Sequence, residues 1–134
     1  MSATRHLAAF AVALALVSAS CSTALAQKKY DTGASDTEIK IGNIMPYSGP
    51  ASSYGVIGKT EAAFFKMINE QGGVNGRKIR LVVEDSGYDP KKAVLASQKL
   101  IERDKIFAMV GPMGSPTVLA AQDILLDAGV LQLF

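Results

Sequence analysis

The chain has 134 residues, of which 49% are hydrophobic and 19% are charged, and its formal net charge is +2. This composition is typical of a globular domain and excludes an intrinsically disordered protein. Because the charge is close to zero and no run of basic residues occurs, the sequence argues against a nucleic-acid-binding role.

The first 26 residues have the features of a secretory signal peptide. Arg5 supplies a positive charge, residues 7–17 form an apolar segment, and the small residues of "ALA" stand at 24–26. The apolar segment is too short to cross a bilayer, which requires about 20 residues. We therefore expect export to the periplasm with cleavage near Ala26.

Cys21 offers an alternative, a lipoprotein cut before this residue. Ser18 argues against it, since a lipoprotein signal usually has an aliphatic residue at that position. His6 and Cys21 are the only His and Cys of the chain, and cleavage near Ala26 would remove both. The mature chain would then lack an imidazole base, a thiol nucleophile, a disulfide and His or Cys metal ligands. We expect no enzymatic activity, no cofactor and no metal.

Residues 27–37 are polar and small, and they are predicted to form a flexible leader. Hydrophobic patterning then predicts strands at 38–46, 78–85, 105–111 and 129–134, with helices at about 56–71, 90–103 and 116–128. Asp89 is expected to cap the second helix, with Pro90 at the first helical position. This order of elements predicts a doubly wound α/β fold with a parallel sheet.

The sequence "GPMGSPT" follows the third predicted strand and opens the third helix. Ser115 is expected to be the N-cap of that helix, whose free amides would attract a carboxylate. Gly114 would let a ligand approach the backbone closely. The segment has neither the Lys of a phosphate-binding loop nor a His partner that would activate Ser115 as a nucleophile. From these residues alone, a capped turn and an anion site both remain open.

Two tyrosines lie in the loop after the first predicted strand, at the edge where parallel sheets bind ligands. Tyr47 and Tyr54 could each stack on a ligand or simply pack within the loop. Asp85 and Asp89 flank "SGY" after the second strand. We expect Asp85 to end a strand and Asp89 to cap a helix, with no catalytic role for either.

Three segments resemble the Leu/Ile/Val-binding protein family: "IKIGNIMPYSGPASSYGVIGK", "INEQGGVNGRKIRLVVEDSGYDPKKAV" and "MVGPMGSPTVLAAQDIL". The resemblance covers residues 38–134 and implies the amino-terminal lobe of a type I periplasmic binding protein. Such proteins have two α/β lobes and bind a solute in the cleft between them. Because the sequence stops within the fourth predicted strand, we expect an incomplete, truncated lobe.

The resemblance also implies a binding site. Ser115 would bind the carboxylate of the ligand, and Tyr54 would cover the ligand. Met113, Gly114 and Thr117 would lie beside them.

The implied ligand is a branched-chain or related amino acid, delivered by a monomeric protein to a membrane ABC permease. The proline after Ser115 resembles members that bind other small carboxylates, including aromatic acids, so the solute stays open. A ligand-sensing domain of the same fold is a second hypothesis. An exported enzyme is the third, disfavoured by the lack of His and Cys in the mature chain.

Overall fold

The computed structural model describes residues 28–134. The predicted signal peptide, its cleavage site and Cys21 lie outside the described residues. Strands and helices alternate in the predicted order: β1 (Glu38–Met45), α1 (Gly55–Glu70), β2 (Lys78–Asp85), α2 (Pro90–Glu102), β3 (Ala108–Val110), α3 (Ser115–Asp127) and β4 (Leu131–Leu133). A 3-10 turn, Ser52–Tyr54, precedes α1. Strands β3 and β4 are shorter than predicted. Within residues 28–134, no helix is long and apolar enough to cross a membrane.

The four strands form one parallel sheet in the order β2-β1-β3-β4. Strand β1 pairs with β2 over its whole length, from Glu38 opposite Lys78 to Met45 opposite Asp85. Strand β3 pairs with β1 on its other side, and β4 pairs with β3. The predicted parallel α/β fold is therefore confirmed. The chain passes from β1 to β2 on one side of β1 and then crosses to β3 on the other side. The topological switch point therefore lies between β1 and β3.

The core lies between the sheet and helices α2 and α3. Ile44 of β1, Met109 of β3, Leu100 of α2 and Leu125 of α3 are all buried in it. Burial of each such side chain stabilises the fold by about 1.5–3 kcal/mol. Ala108 and Met109 are both buried, and since successive residues of a strand face opposite sides of the sheet, β3 is covered on both sides.

Helix α1 approaches the sheet through small residues. Gly55 and Gly58 are its buried residues, and a Cβ at Gly58 would collide with Tyr47. Phe64 and Met67 remain 52% and 44% exposed. The apolar side chains of this helix are thus only partly covered in the described part of the chain.

Residues 28–37, predicted to be a flexible leader, contact the amino-terminal end of the sheet. Ala34 forms an antiparallel bridge with Ile39. The guanidinium of Arg77 lies 5.0 Å from the ring centroid of Tyr30. This segment therefore packs on the lobe, while the boundary between leader and lobe stays a prediction.

Candidate functional site

The turn between β3 and α3 is anchored to the strands on both sides of β3. The N–H of Met113 donates to the carbonyl of Ile44 over 3.0 Å, and the N–H of Gly111 donates to the carbonyl of Leu133 over 3.0 Å. Gly111 and Gly114 have φ values of 60° and 107°, in a region that glycine adopts most readily. The backbone of this turn is therefore held at the switch-point edge of the sheet.

Ser115 does not cap helix α3, so this prediction is wrong. The helix begins at Ser115 itself, its N-cap is Gly114, and no side chain makes a capping hydrogen bond. The capping position requires a non-helical backbone, and Gly114 takes it with φ 107° and ψ 117°. Ser115 is exposed, and its hydroxyl has no hydrogen-bond partner among the described residues. The hydroxyl is thus available to a ligand.

The buried side chain of Thr117 stabilises the turn between β3 and α3. It is only 2% exposed, and its Oγ1 lies 2.8 Å from the carbonyl oxygen of Met113 and 2.7 Å from that of Gly114. A hydroxyl has a single proton, so it donates to one of these two acceptors at a time. To donate to a ligand, Thr117 Oγ1 would have to give up its hydrogen bonds to both carbonyl oxygens.

Asn43 connects the turn to helix α1. It is fully buried in β1, and its Nδ2 lies 2.9 Å from the carbonyl oxygens of Val110 and Gly111 and from Oε2 of Glu61. Burial raises the pKa of the Glu61 carboxyl. Neither residue was singled out from the sequence. The available signals were a polar Asn inside an apolar strand and a Glu three residues after Gly58 in the first predicted helix.

Asp85 fixes the loop that follows β1. Its Oδ1 accepts hydrogen bonds from the N–H groups of Tyr47 (2.9 Å), Ser48 (3.2 Å) and Gly87 (2.8 Å). Partial burial alone would raise the pKa of Asp85, but the hydrogen bonds from Ser48, Gly87 and Tyr47 lower it. Asp85 ends a strand as expected, and it also joins two loops at the candidate site, a role that the sequence does not reveal.

The two tyrosines of the first loop have different surroundings. Tyr47 is half-buried and packs against Gly55 and Gly58 of α1. Burial raises the pKa of the Tyr47 hydroxyl, and the nearby carboxylates of Glu61 and Asp85 raise it further. Tyr54 is 52% exposed. Of the two rings, that of Tyr54 is the more accessible to a ligand.

Within the described part of the chain, the turn presents an open surface. The cavity beside Thr117 has a volume of only about 10 Å³, room for one water molecule at most. Two larger cavities lie elsewhere. One of about 400 Å³ lies beside Phe65 and Leu81, between α1 and β2. The other, of about 340 Å³, lies beside Phe107 and Leu131, at the opposite end of the strands.

Comparison with known proteins identifies the family. The family model described as periplasmic binding protein matches residues 38–134. The chain belongs to the periplasmic binding protein family. Its relatives include the leucine-, isoleucine-, valine-, threonine- and alanine-binding protein of Pseudomonas aeruginosa, which is 38% identical over 101 residues, or 75% of this chain and 26% of the relative. The chain thus spans about a quarter of the length of the curated relatives it matches.

Solved structures agree with this assignment. The branched-chain amino acid transporter substrate binding protein of Streptococcus pneumoniae, in complex with isoleucine, matches with a TM-score of 0.67 and 31% identity, over 72% of this chain and 28% of that one. A solute binding protein of an ABC transporter from Rhodopseudomonas palustris, in complex with 3,4-dihydroxy benzoic acid, matches with a TM-score of 0.63 and 28% identity, over 71% and 26% of the two chains. The predicted resemblance to Leu/Ile/Val-binding proteins and the type I fold are confirmed. These relatives of the periplasmic binding protein family are named as binding proteins and not as enzymes.

Proposed function

We propose that the full-length protein is a periplasmic solute-binding protein of an ABC importer. It binds a branched-chain or related amino acid and delivers it to the membrane permease. One observation carries the proposal: in a chain of this family, the hydroxyl of Ser115 is exposed at the amino-terminal end of α3 and has no hydrogen-bond partner in residues 28–134. That end lies at the edge of the sheet where folds of this kind bind ligands.

The first turn of α3 has the chemistry to bind a carboxylate. The first hydrogen bond into the helix is donated by the N–H of Val118 to the carbonyl of Gly114 over 2.8 Å. The N–H groups of Ser115 and Thr117 precede it and have no backbone acceptor in the described residues. They carry the positive end of the helix dipole, so a carboxylate would gain charge-assisted hydrogen bonds from them.

Each predicted site residue has a part in this proposal. Ser115 donates its hydroxyl proton to the carboxylate, and Gly114 lets the carboxylate approach the backbone. Thr117 contributes its N–H and holds the turn with its hydroxyl. Met113 positions the turn through its bond to β1. Tyr54 covers the ligand from the neighbouring loop, while the opposite wall of the cleft comes from the second lobe of the full-length protein.

The proposal includes a location and an assembly state. The predicted signal peptide would direct the protein to the periplasm with cleavage near Ala26. There the protein would act as a monomer that meets the permease with its solute bound. Family membership supports the location, because the matching family model is that of periplasmic binding proteins.

An aromatic carboxylate is the second candidate solute. The Rhodopseudomonas palustris relative was solved with 3,4-dihydroxy benzoic acid, and the proline after Ser115 resembles members that bind such acids. A benzoate and an amino acid share the carboxylate that the turn would hold. The residues that contact the remainder of the solute therefore determine which of the two is bound.

A thermal-shift screen of the full-length protein tests the proposed function. The panel contains leucine, isoleucine, valine, threonine, alanine, benzoate and 3,4-dihydroxybenzoate, with leucine methyl ester as the control that lacks a free carboxylate. Binding raises the melting temperature by mass action, so we expect a rise with at least one free carboxylate and none with the ester. A rise with benzoates alone would favour the second candidate. No rise with any carboxylate would contradict the proposal.

A further inference from the structure

A third loop also reaches the candidate site. Residues 86–89, between β2 and α2, contact both of the loops described above. A Cβ at Gly49 of the first loop would come within 2.6 Å of the carbonyl oxygen of Gly87, and a Cβ at Gly114 would come within 2.5 Å of Cε2 of Tyr88. Because β1 lies between β2 and β3 in the sheet, Tyr88 reaches across the end of β1 to the turn that precedes Ser115.

The backbone of Tyr88 has an unusual conformation. Its φ is 64°, in the left-handed region that is unfavourable for a bulky residue. The surroundings enforce this conformation: the N–H of Tyr88 donates to Oγ of the fully buried Ser86 over 3.2 Å, and the N–H of Asp89 donates to the carbonyl of Ser86 over 2.9 Å. Asp89 then caps α2. Strained residues that are fixed in this way cluster at functional sites.

The ring of Tyr88 is only partly covered. One edge lies against Gly114, yet the side chain remains partly exposed. Its hydroxyl has no hydrogen-bond partner within residues 28–134. Ser115 directly follows Gly114, so a group attached to a carboxylate at Ser115 would lie near this ring.

We propose that Tyr88 forms a fixed wall of the solute site and selects solutes by contacting the group attached to their carboxylate. This inference rests on the proposed function. A rigid aromatic ring gains contact area as the apolar group of the solute grows. The contribution of Tyr88 should therefore be large for leucine or benzoate and negligible for alanine or acetate.

Calorimetry on the full-length protein with two solute pairs tests this inference. The pairs are leucine with alanine and benzoate with acetate, because the members of each pair differ only in the group that the ring would contact. Tyr88→Asn removes the ring but suits a left-handed backbone, and Tyr88→Phe retains the ring. Tyr30→Asn removes an aromatic ring at the opposite end of the strands and is the matched control. Circular dichroism verifies that each variant folds.

The expected result is a change in selectivity. For the solute pair that the protein binds, the ratio compares the affinity for the larger solute with the affinity for the smaller one. Tyr88→Asn should reduce this ratio by about tenfold, since the lost contact area is substantial. Tyr88→Phe and Tyr30→Asn should leave that ratio within about twofold. An unchanged ratio in Tyr88→Asn would overturn the inference while the proposed function stands. If the wild-type protein binds none of the panel carboxylates, the proposed function fails and this inference fails with it.

Discussion

Asn43 donates a hydrogen bond from Nδ2 to Oε2 of Glu61 over 2.9 Å, although 18 residues separate them along the chain. The same Nδ2 contacts the carbonyl oxygens of Val110 and Gly111, each at 2.9 Å. One buried amide therefore joins β1, α1 and the start of the turn that leads to Ser115. We expect this contact to help fix the position of the proposed carboxylate site.

Asn43→Ala should destabilise the full-length protein. It removes an amide whose two protons are shared among the carbonyl oxygens of Val110 and Gly111 and the carboxyl of Glu61. An acceptor that is left unsatisfied away from water costs about 1–3 kcal/mol. We expect the free energy of unfolding in urea to fall by at least about 2 kcal/mol. Gln98→Ala, at an exposed amide on α2, is the control. Equal stability of Asn43→Ala and wild type would show that the contact contributes nothing.

Glu61 should make stability decrease as pH rises. Burial raises the pKa of its carboxyl above the ordinary value of 4.5, so the folded state binds the proton more tightly than the unfolded state does. The stabilisation is fully present below pH 4.5 and is lost as pH rises through the raised pKa. Glu61→Gln stays neutral and can still accept from Asn43. The melting temperature of Glu61→Gln minus that of wild type should therefore increase from pH 4 to pH 7.5. A difference that is constant with pH would contradict this prediction.

Asp85 should control the order of the loop that follows β1. Asp85→Ala removes the acceptor for the N–H groups of Tyr47, Ser48 and Gly87. Hydrogen exchange at these three amides should accelerate by about tenfold or more, because local opening becomes easier. Asp123→Ala, at an exposed carboxylate on α3, should leave their exchange unchanged. The prediction fails if Asp85→Ala also leaves it unchanged.

The carboxyl of Asp85 has the opposite pH dependence to that of Glu61. Its pKa is lowered below the ordinary value of 3.8, because the folded state favours the charged form. Its stabilisation is present above pH 3.8 and is lost as pH falls through the lowered pKa. Asp85→Asn should thus be less stable than wild type near pH 7, with the gap in melting temperature closing under acidic conditions.

Two glycine substitutions test how tightly the turn before α3 is constrained. Gly114 and Gly129 both have positive φ values, of 107° and 67°. A Cβ at Gly129 would meet nothing within 4 Å, whereas one at Gly114 would come within 2.5 Å of Tyr88 and 2.8 Å of Thr117. Gly129→Ala should cost about 1–2 kcal/mol from the left-handed backbone alone. Gly114→Ala should cost clearly more in urea unfolding, because its φ of 107° and ψ of 117° lie outside the left-handed region and because its Cβ would also collide with Tyr88. Similar costs for the two variants would contradict both constraints on Gly114.

The fold of this chain is largely predictable because its signals are local. Hydrophobic periodicity depends on the pitch of a helix or strand, so the order of seven elements could be inferred without tertiary information. The cap of α2 is equally local: Asp89 accepts from the N–H groups of Lys91 and Lys92, two and three residues away. The parallel sheet follows from the crossover rules, and the type I fold follows from the family resemblance.

The site is less predictable because its contacts span long distances along the chain. Asn43 and Val110 are 67 residues apart, and no spacing rule connects them. The error at Ser115 has a different origin. A Ser before a Pro suits both the N-cap and the first helical position, and the flexible backbone of Gly114 decides between the two. Tyr88 could not be predicted as a site residue, because the composition of "SGYDP" does not indicate that its backbone is left-handed.

Calorimetric titration of the full-length protein and its Ser115→Ala variant tests the proposed carboxylate site most directly. The titrant is the solute that gives the largest shift in the thermal screen. Gln122→Ala, an exposed position on the same helix, is the control and should bind like wild type. Loss of the Ser115 hydroxyl should weaken binding by about 1.5–3 kcal/mol, the value of a hydrogen bond to a charged group. Equal affinity of Ser115→Ala and wild type would contradict the assignment of Ser115 to the ligand carboxylate.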